Sequence, residues 1–440
     1  MQSQVGISHN WSNRKRRLIK FSVLLASIFV GLFVAEVGLR IVGYTYPLFY
    51  TTDPDRGYAL RPNVEGWYRK EGEAYVRINS RGLRDREHSK EKPPDTLRIA
   101  VIGDSYVEAM QVPAEDAFWG VMERRLQDCE MSRGKKIEVI SFGVSGYGTA
   151  QELITLRRDV WDYSPDIVLL AFTTNNDVAD NSRLLDKTDE IPYFVHRDGQ
   201  LVLDDSFKSS IAFRMRSSLL NRTGRWMRDN SRVIQALHQS HAVLKACVTR
   251  WRASKRKEEA APNVVNAVDA VQAQRREAQL PQPPRPAISP HQVAANVEDI
   301  GIDNLIYQEP HDAVWEEAWR ATEGLLALMH REVESRGAQL VVTTLSNAIQ
   351  VHPNPESRQS FMRRVGATDM LYPDRRIKRL GEREGFTVIN LALALQAYAE
   401  RNNIFLHGAG DQIGNGHWNQ LGHRVAGELL ADKLCDERQD

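Results

Sequence analysis

The stretch "RIAVIGDSYVEA", Arg98 to Ala109, decides the reading of this chain. Ile99, Ala100, Val101 and Ile102 are apolar without alternation, then Gly103, Asp104 and Ser105 follow at once. A short apolar run bounded by turn residues predicts a strand buried on both faces. Gly-Asp-Ser then predicts a sharp turn into a helix, for which Asp and Ser are good caps. The same three residues also suit a second role, in which the Ser105 hydroxyl is a nucleophile held at the lip of a sheet.

The rest of the sequence repeats the pattern. "KIEVISFGV", "PDIVLLAFT", "AQLVVTTL" and "FTVINLA" are further apolar strand candidates. Between them lie helical stretches, among them "EDAFWGVMERRLQDC", where Phe118, Val121, Met122 and Leu126 share one face. Others are "TAQELITLRRDVWDY", "HDAVWEEAWRATEGLLALMHREVESRG", "RRIKRLGEREG" and the closing "LGHRVAGELLADKL". Apolar strands alternating with helices predict an α/β protein with a parallel sheet covered on both faces. The predicted sheet domain takes residues 96–180 and 311–436. The intervening 181–310 reads as an insert, helical and basic at first. It is then rich in charge, alanine and proline through "QAQRREAQLPQPPRPAISPHQ", which predicts disorder.

Composition sets bounds. The chain has 440 residues and a net charge of +1, so no global field points to nucleic acid. Cys129, Cys247 and Cys435 are too scattered for a metal cluster or a disulfide framework, although one pair can bridge in an oxidising compartment. No metal and no cofactor are expected. Residues 1–17 form a basic tail, with Arg14, Lys15, Arg16 and Arg17, and an apolar run from Phe21 continues past Glu36 and Arg40 to Gly43. Residues 18–43 are long enough for a transmembrane signal anchor, with Glu36 and Arg40 pairing near the far interface; a cleaved signal peptide and a buried helix of a soluble protein are the competing readings. The basic flank predicts a cytoplasmic N-terminus and an extracytoplasmic, periplasmic remainder on the inner membrane. Residues 44–95 read as a linker of turns and short strands.

In an open parallel sheet the ligand sits beyond the carboxyl ends of the strands. Ser105 follows the first strand. "FGVSGYG" follows the second, "TTNND" the third, and "GNGHWNQLGH" lies past the fifth. A hydroxyl, a glycine turn, an amide and an imidazole therefore gather at one rim, as acyl transfer through a serine requires. This set resembles the SGNH (GDSL-type) hydrolase family. "GDSYVEAMQVP", "FGVSGYGT", "NND" and "GHWNQLGHRVAGELL" are similar to its four blocks, over residues 96–178 and 335–434. The resemblance implies a three-layer, flavodoxin-like parallel sheet, with Ser105 as nucleophile and His417 as base. It also implies an oxyanion hole from the Ser105 and Gly146 N–H groups and the Asn176 amide. Thr174 stands where that third block has glycine, and Gly414 where the family has the acid three residues before the histidine. Asp411 is the candidate replacement, the alternative being a backbone carbonyl that leaves a Ser-His dyad. Trp418 and Asn419, beside His417, are candidate substrate contacts, whereas Asp104 and His423 read as structural.

The layout with an N-terminal anchor resembles the branch found among bacterial envelope and polysaccharide-modifying proteins. It implies an esterase acting on O-acetyl groups of an acylated glycan, or on a small acyl ester, beside envelope polysaccharide machinery. The alternatives are an O-acyltransferase with the same site and a catalytically idle glycan-binding scaffold.

Overall fold

The computed structural model describes residues 8–129, 134–241, 244, 245, 248 and 302–436. The proline-rich stretch expected to be disordered lies outside the described residues. The chain divides into two compact units, Met1–Pro47 with Arg222–Ala287, and Leu48–Asn221 with Ile288–Asp440. The first contains the helix Ser8–Ile41. Residues 14–41 of that helix are long and apolar enough to cross a membrane, an 18-residue window within them having a mean hydropathy of 2.4.

The larger unit is built on five parallel strands: β5 (Thr96–Gly103), β6 (Lys136–Ser141), β7 (Ile167–Thr173), β10 (Gln339–Leu345) and β11 (Thr387–Asn390). Their spatial order is β11-β10-β7-β5-β6. Counting only these strands, that is 2-1-3-4-5, the flavodoxin-like order, with its switch point between β5 and β7. All eight residues of β5 and all seven of β7 are buried, because helices cover both faces. Side chains alternate between two cores. Ala100, Ile102, Leu170 and Phe172 pack with Trp319 and Leu325 of the helix Ala313–Ser335. Ile99, Val101 and Leu169 pack with Phe118 and Met122 of the helix Phe118–Gln127 and with Leu430 of the helix Gln420–Asp436.

All five anticipated sheet strands form. Among the described residues, the helices Pro355–Val365 and Ala392–Asn402 carry no clear sequence signal. The first, "PESRQSFMRRV", buries only Arg358, Phe361 and Val365, so its apolar periodicity is too thin to read.

Three hairpins complete the unit: β1 (Tyr50–Asp53) with β2 (Gly57–Leu60), β3 (Glu65–Tyr68) with β4 (Ala74–Arg77), and β8 (Tyr193–Arg197) with β9 (Gln200–Asp204). The β8–β9 hairpin belongs to the sheet unit, so the division within the expected insert falls near Arg222 instead of at 181. Residues 48–78 are more than a linker. Phe49, Leu60, Val64, Val76 and Ile78 form a third core with Met110, beyond β5, and Val144, beyond β6. The first two hairpins are thereby seated on the carboxyl edge of the sheet.

Cys129 and Cys435 form a disulfide across a sequence separation of 306 residues. It ties the end of the Phe118–Gln127 helix region to the last helix, and such bonds persist in oxidising compartments. Removing a cross-link that closes a long loop costs about 2–4 kcal/mol. Cys435→Ser is therefore expected to lower the urea midpoint of the oxidised protein, and reductant to lower the wild type equally. Identical midpoints in all three samples would show that the bond carries no stability.

Candidate functional site

The site is built where β5 ends. Asp104 is fully buried and its Oδ1 accepts from the Tyr106 N–H at 2.9 Å, which starts the single helical turn Ser105–Glu108. Ala109, in the left-handed region at φ 49°, ends that turn. The half-buried Ser105 thus sits on a short, fixed corner.

His417 comes from the loop before the last helix. That loop is pinned by a bridge between His407 and Trp418, and by hydrogen bonds from Gly408 N to His417 O and from Gly414 N to His407 O, both 2.9 Å. Tyr106 packs against the imidazole, ring centroids 5.0 Å apart. His417 Nε2 lies 2.7 Å from Ser105 Oγ, a nucleophile–base hydrogen-bond distance.

The carboxylate that meets His417 is that of Glu71, not Asp411. Glu71 Oε2 lies 2.5 Å from His417 Nδ1 and also accepts from the His417 backbone N–H at 3.2 Å. It belongs to the turn between β3 and β4, so its position follows from the seating of that hairpin on the third core. A Cβ on Gly416 would stand 2.9 Å from Glu71 Oε2, so the approach needs a glycine there, and its φ of +72° also favours one. Asp411 lies in the exposed turn Gly410–Gln412. Gly414, where the resemblance expects the acid, packs on Phe405 at φ +84°. Nothing in "RKEGEA" marks Glu71 by itself; the missing acid before His417 was the one signal that an acid had to come from elsewhere.

The pair shifts both partners. The hydrogen bond from His417 holds the Glu71 carboxyl below its usual range. For His417, burial pushes the imidazole down, but the Glu71 contact and charge outweigh it, so the net shift is upward. Behind Ser105, burial raises the carboxyls of Asp104, Glu152 and Asp177.

The two remaining expected donors stand as follows. Gly146 is exposed, at φ +74°, and a Cβ there would meet the Tyr58 hydroxyl at 2.7 Å. That hydroxyl donates to Ser145 O at 2.9 Å, while the Ser145 hydroxyl donates to the buried Glu108 carboxylate, fixing the loop from below. Asn176 donates one Nδ2 hydrogen to Asp104 Oδ2 at 3.2 Å, which ties it to the corner that carries Ser105; an amide carries a second hydrogen on the same nitrogen.

Trp418 and Asn419 are structural. Trp418 is fully buried, its Nε1 donates to Ser346 Oγ at 3.1 Å, and its ring meets Tyr106 and Phe118 edge-on. Asn419 Oδ1 accepts from Gly422 N at 2.9 Å and its Nδ2 donates to Phe405 O at 3.0 Å, so it caps the last helix. Both lie beside His417 in sequence, but their side chains point to the loop's foundations. His423 is fully buried, beside Gln111 Nε2 at 3.0 Å and Phe118 N at 3.3 Å.

A groove of about 500 Å³ opens next to the site. Tyr106 and Gly416, the neighbours of Ser105 and His417 in sequence, line it with Asn175, Asn347, His352 and Arg364. Asn175 Oδ1 in this groove has no hydrogen-bond partner among the described residues. Among the described residues no group of three His, Cys, Asp or Glu side chains is placed to hold a metal ion.

Fold and site together define a flavodoxin-ordered α/β protein with a serine–histidine–glutamate relay on the carboxyl edge of its sheet. No family model and no curated protein matches the chain. Among solved structures it is similar to an acetyl xylan esterase, AlAXEase, at 11% identity and a TM-score of 0.34, covering 78% of this chain and 99% of that one. It is similar to a lipase/acylhydrolase from Enterococcus faecalis at 13% identity and a TM-score of 0.32, over 78% and 96% of the two chains. A lipolytic protein of the G-D-S-L family from Desulfitobacterium hafniense DCB-2 matches at 10% identity and a TM-score of 0.32, over 76% and 98%.

Proposed function

We propose that this chain is a membrane-anchored serine esterase of SGNH type that releases small acyl groups, O-acetyl above all, from an envelope or exported polysaccharide. The observation that carries the reading is the continuous relay Ser105 Oγ, His417 Nε2, His417 Nδ1, Glu71 Oε2, with contacts of 2.7 and 2.5 Å. Ser105 attacks the ester carbonyl while His417 takes its proton, and Glu71 stabilises the imidazolium. The oxyanion is held by the N–H groups of Ser105 and Gly146 and by the Asn176 amide. His417 returns the proton to the departing alcohol. Water, deprotonated by His417, then attacks the acyl-enzyme and frees the acid and the serine.

The groove beside the relay supports a polar alcohol. Asn175, Asn347 and Arg364 line it, and hydroxyl-bearing sugars satisfy such groups where a long alkyl chain does not. The N-terminal apolar helix supports anchoring, and the Cys129–Cys435 bond supports an extracytoplasmic location.

The test is a chain-length series of aryl esters, followed by an O-acetylated glycan with free acetate and acetyl transfer both measured. Acetyl esters hydrolysed faster than octanoyl esters, with acetate freed from the glycan, is the expected result. Transfer to glycan without free acetate would identify an acyltransferase, and no turnover of any ester would end the enzymatic reading. Gly146→Ala adds a strained Cβ against Tyr58 and displaces one oxyanion donor, so kcat is expected to fall by about 10²-fold. Unchanged kcat would remove Gly146 from the oxyanion hole.

A further inference from the structure

The apolar helix Ser8–Ile41 carries only two charges beyond Phe21, Glu36 and Arg40, and both are bound by the chain near residue 231. Glu36 accepts from the backbone N–H groups of Arg232 and Val233 and from the Ser231 hydroxyl, each at 3.0 Å. Arg40 pairs with Glu36 at 2.8 Å and donates to Asn230 O at 2.8 Å. Tyr44 donates to Gln239 Oε1 at 2.6 Å and the Tyr46 N–H to Gln235 Oε1 at 2.9 Å. Glu36 therefore caps the helical residues 232–241, and the segment is fastened to the last two turns of the apolar helix.

We infer that residues 222–241, with Leu244 and Lys245, lie along the bilayer surface and bind anionic phospholipid headgroups. This rests on the reading of Ser8–Ile41 as a membrane span. At 1.5 Å per residue, Glu36 stands about 8 Å before the end of that helix, the depth of the boundary between headgroups and acyl chains. A segment hydrogen-bonded to Glu36 and Arg40 has to lie at that depth too. Its composition fits: Arg222, Arg225, Arg228, Arg232 and Lys245 oppose the single carboxylate of Asp229. Trp226, Met227, Leu237 and Leu244 are exposed, at 65%, 47%, 65% and 64%. Exposed apolar side chains among cations, with a tryptophan, are the features of an interfacial amphipathic helix. The membrane is the occupant favoured because the segment is hydrogen-bonded to the end of the span and its charge complements anionic lipid.

The experiment uses the full chain in phosphatidylcholine nanodiscs, with and without phosphatidylglycerol, carrying bromines either shallow or deep on the acyl chains. The emission assigned to Trp226 is the difference between wild type and Trp226→Phe. Phe29→Trp reports on the middle of the span. The inference expects Trp226 emission to fall by about twofold or more with shallow bromines, more strongly with phosphatidylglycerol present. Phe29→Trp should respond to the deep bromines. Unquenched Trp226 beside a quenched Phe29→Trp would overturn the surface assignment while leaving the span intact. If neither is quenched, the span reading fails and this inference with it. Equal quenching with and without phosphatidylglycerol would overturn the anionic preference. Trp226 shielding that depends on the number of chains per disc, and not on bromine, would assign the surface to a second copy and overturn the inference.

Discussion

Ser105→Ala is expected to lower ester turnover by roughly 10⁴-fold or more while leaving the protein folded. Only one atom is removed, and it lies at the half-exposed end of a one-turn helix. The cap of that turn is the Asp104 carboxylate, which the substitution leaves in place. Stability should therefore change little, and the loss appears in kcat. Without the hydroxyl no acyl-enzyme forms, and the remaining rate is what oxyanion donors and binding give to water attack. Turnover within about tenfold of wild type, measured with an aryl acetate, would exclude Ser105 as nucleophile.

Glu71→Gln is expected to lower kcat by about 10²- to 10⁴-fold and to move the pH profile. The glutamine keeps the shape of the side chain but not its charge, so His417 loses both its orientation and its imidazolium partner. The sign follows from the base having to be neutral. Glu71 raises the His417 pKa above its ordinary 6.5, so the wild-type kcat/KM should fall as pH drops through a value above 6.5. With the carboxylate gone, burial still pushes the imidazole down, and the acid limb of the variant should shift to lower pH. Asp411→Asn is the control and should leave both rate and profile unchanged, since Asp411 is exposed and its turn is separate from the imidazole contact. An unshifted profile in Glu71→Gln, or a collapse in Asp411→Asn, would reverse the roles.

The sheet was legible because each strand carries a short apolar stretch, and β5 and β7 are buried end to end. Strand order was not legible from pattern, because nothing in an apolar run names its neighbour. Ser105 and His417 were readable from the residues that follow strands, and the structure brings them to 2.7 Å. Glu71 was not. Its position depends on a hairpin of half-exposed strands seated by Val64, Val76 and Ile78 against Met110 and Val144, contacts between distant parts of the chain that leave no local mark. Trp418 misled for the converse reason: adjacency to His417 in sequence suggested a sugar platform, but the side chain turns into the core beneath Tyr106. The 44–95 stretch looked like a linker because its strands have only four residues each, too few to carry a period.

The most direct measurement is fluorophosphonate labelling of the detergent-solubilised full chain, with the modified peptide identified by mass spectrometry and the rate compared across variants. A single adduct on Ser105 is predicted, formed at least about 10²-fold more slowly in His417→Ala and in Glu71→Gln and at the wild-type rate in Asp411→Asn. An adduct on another residue, or equal labelling of Ser105 in wild type and Glu71→Gln, would contradict the relay.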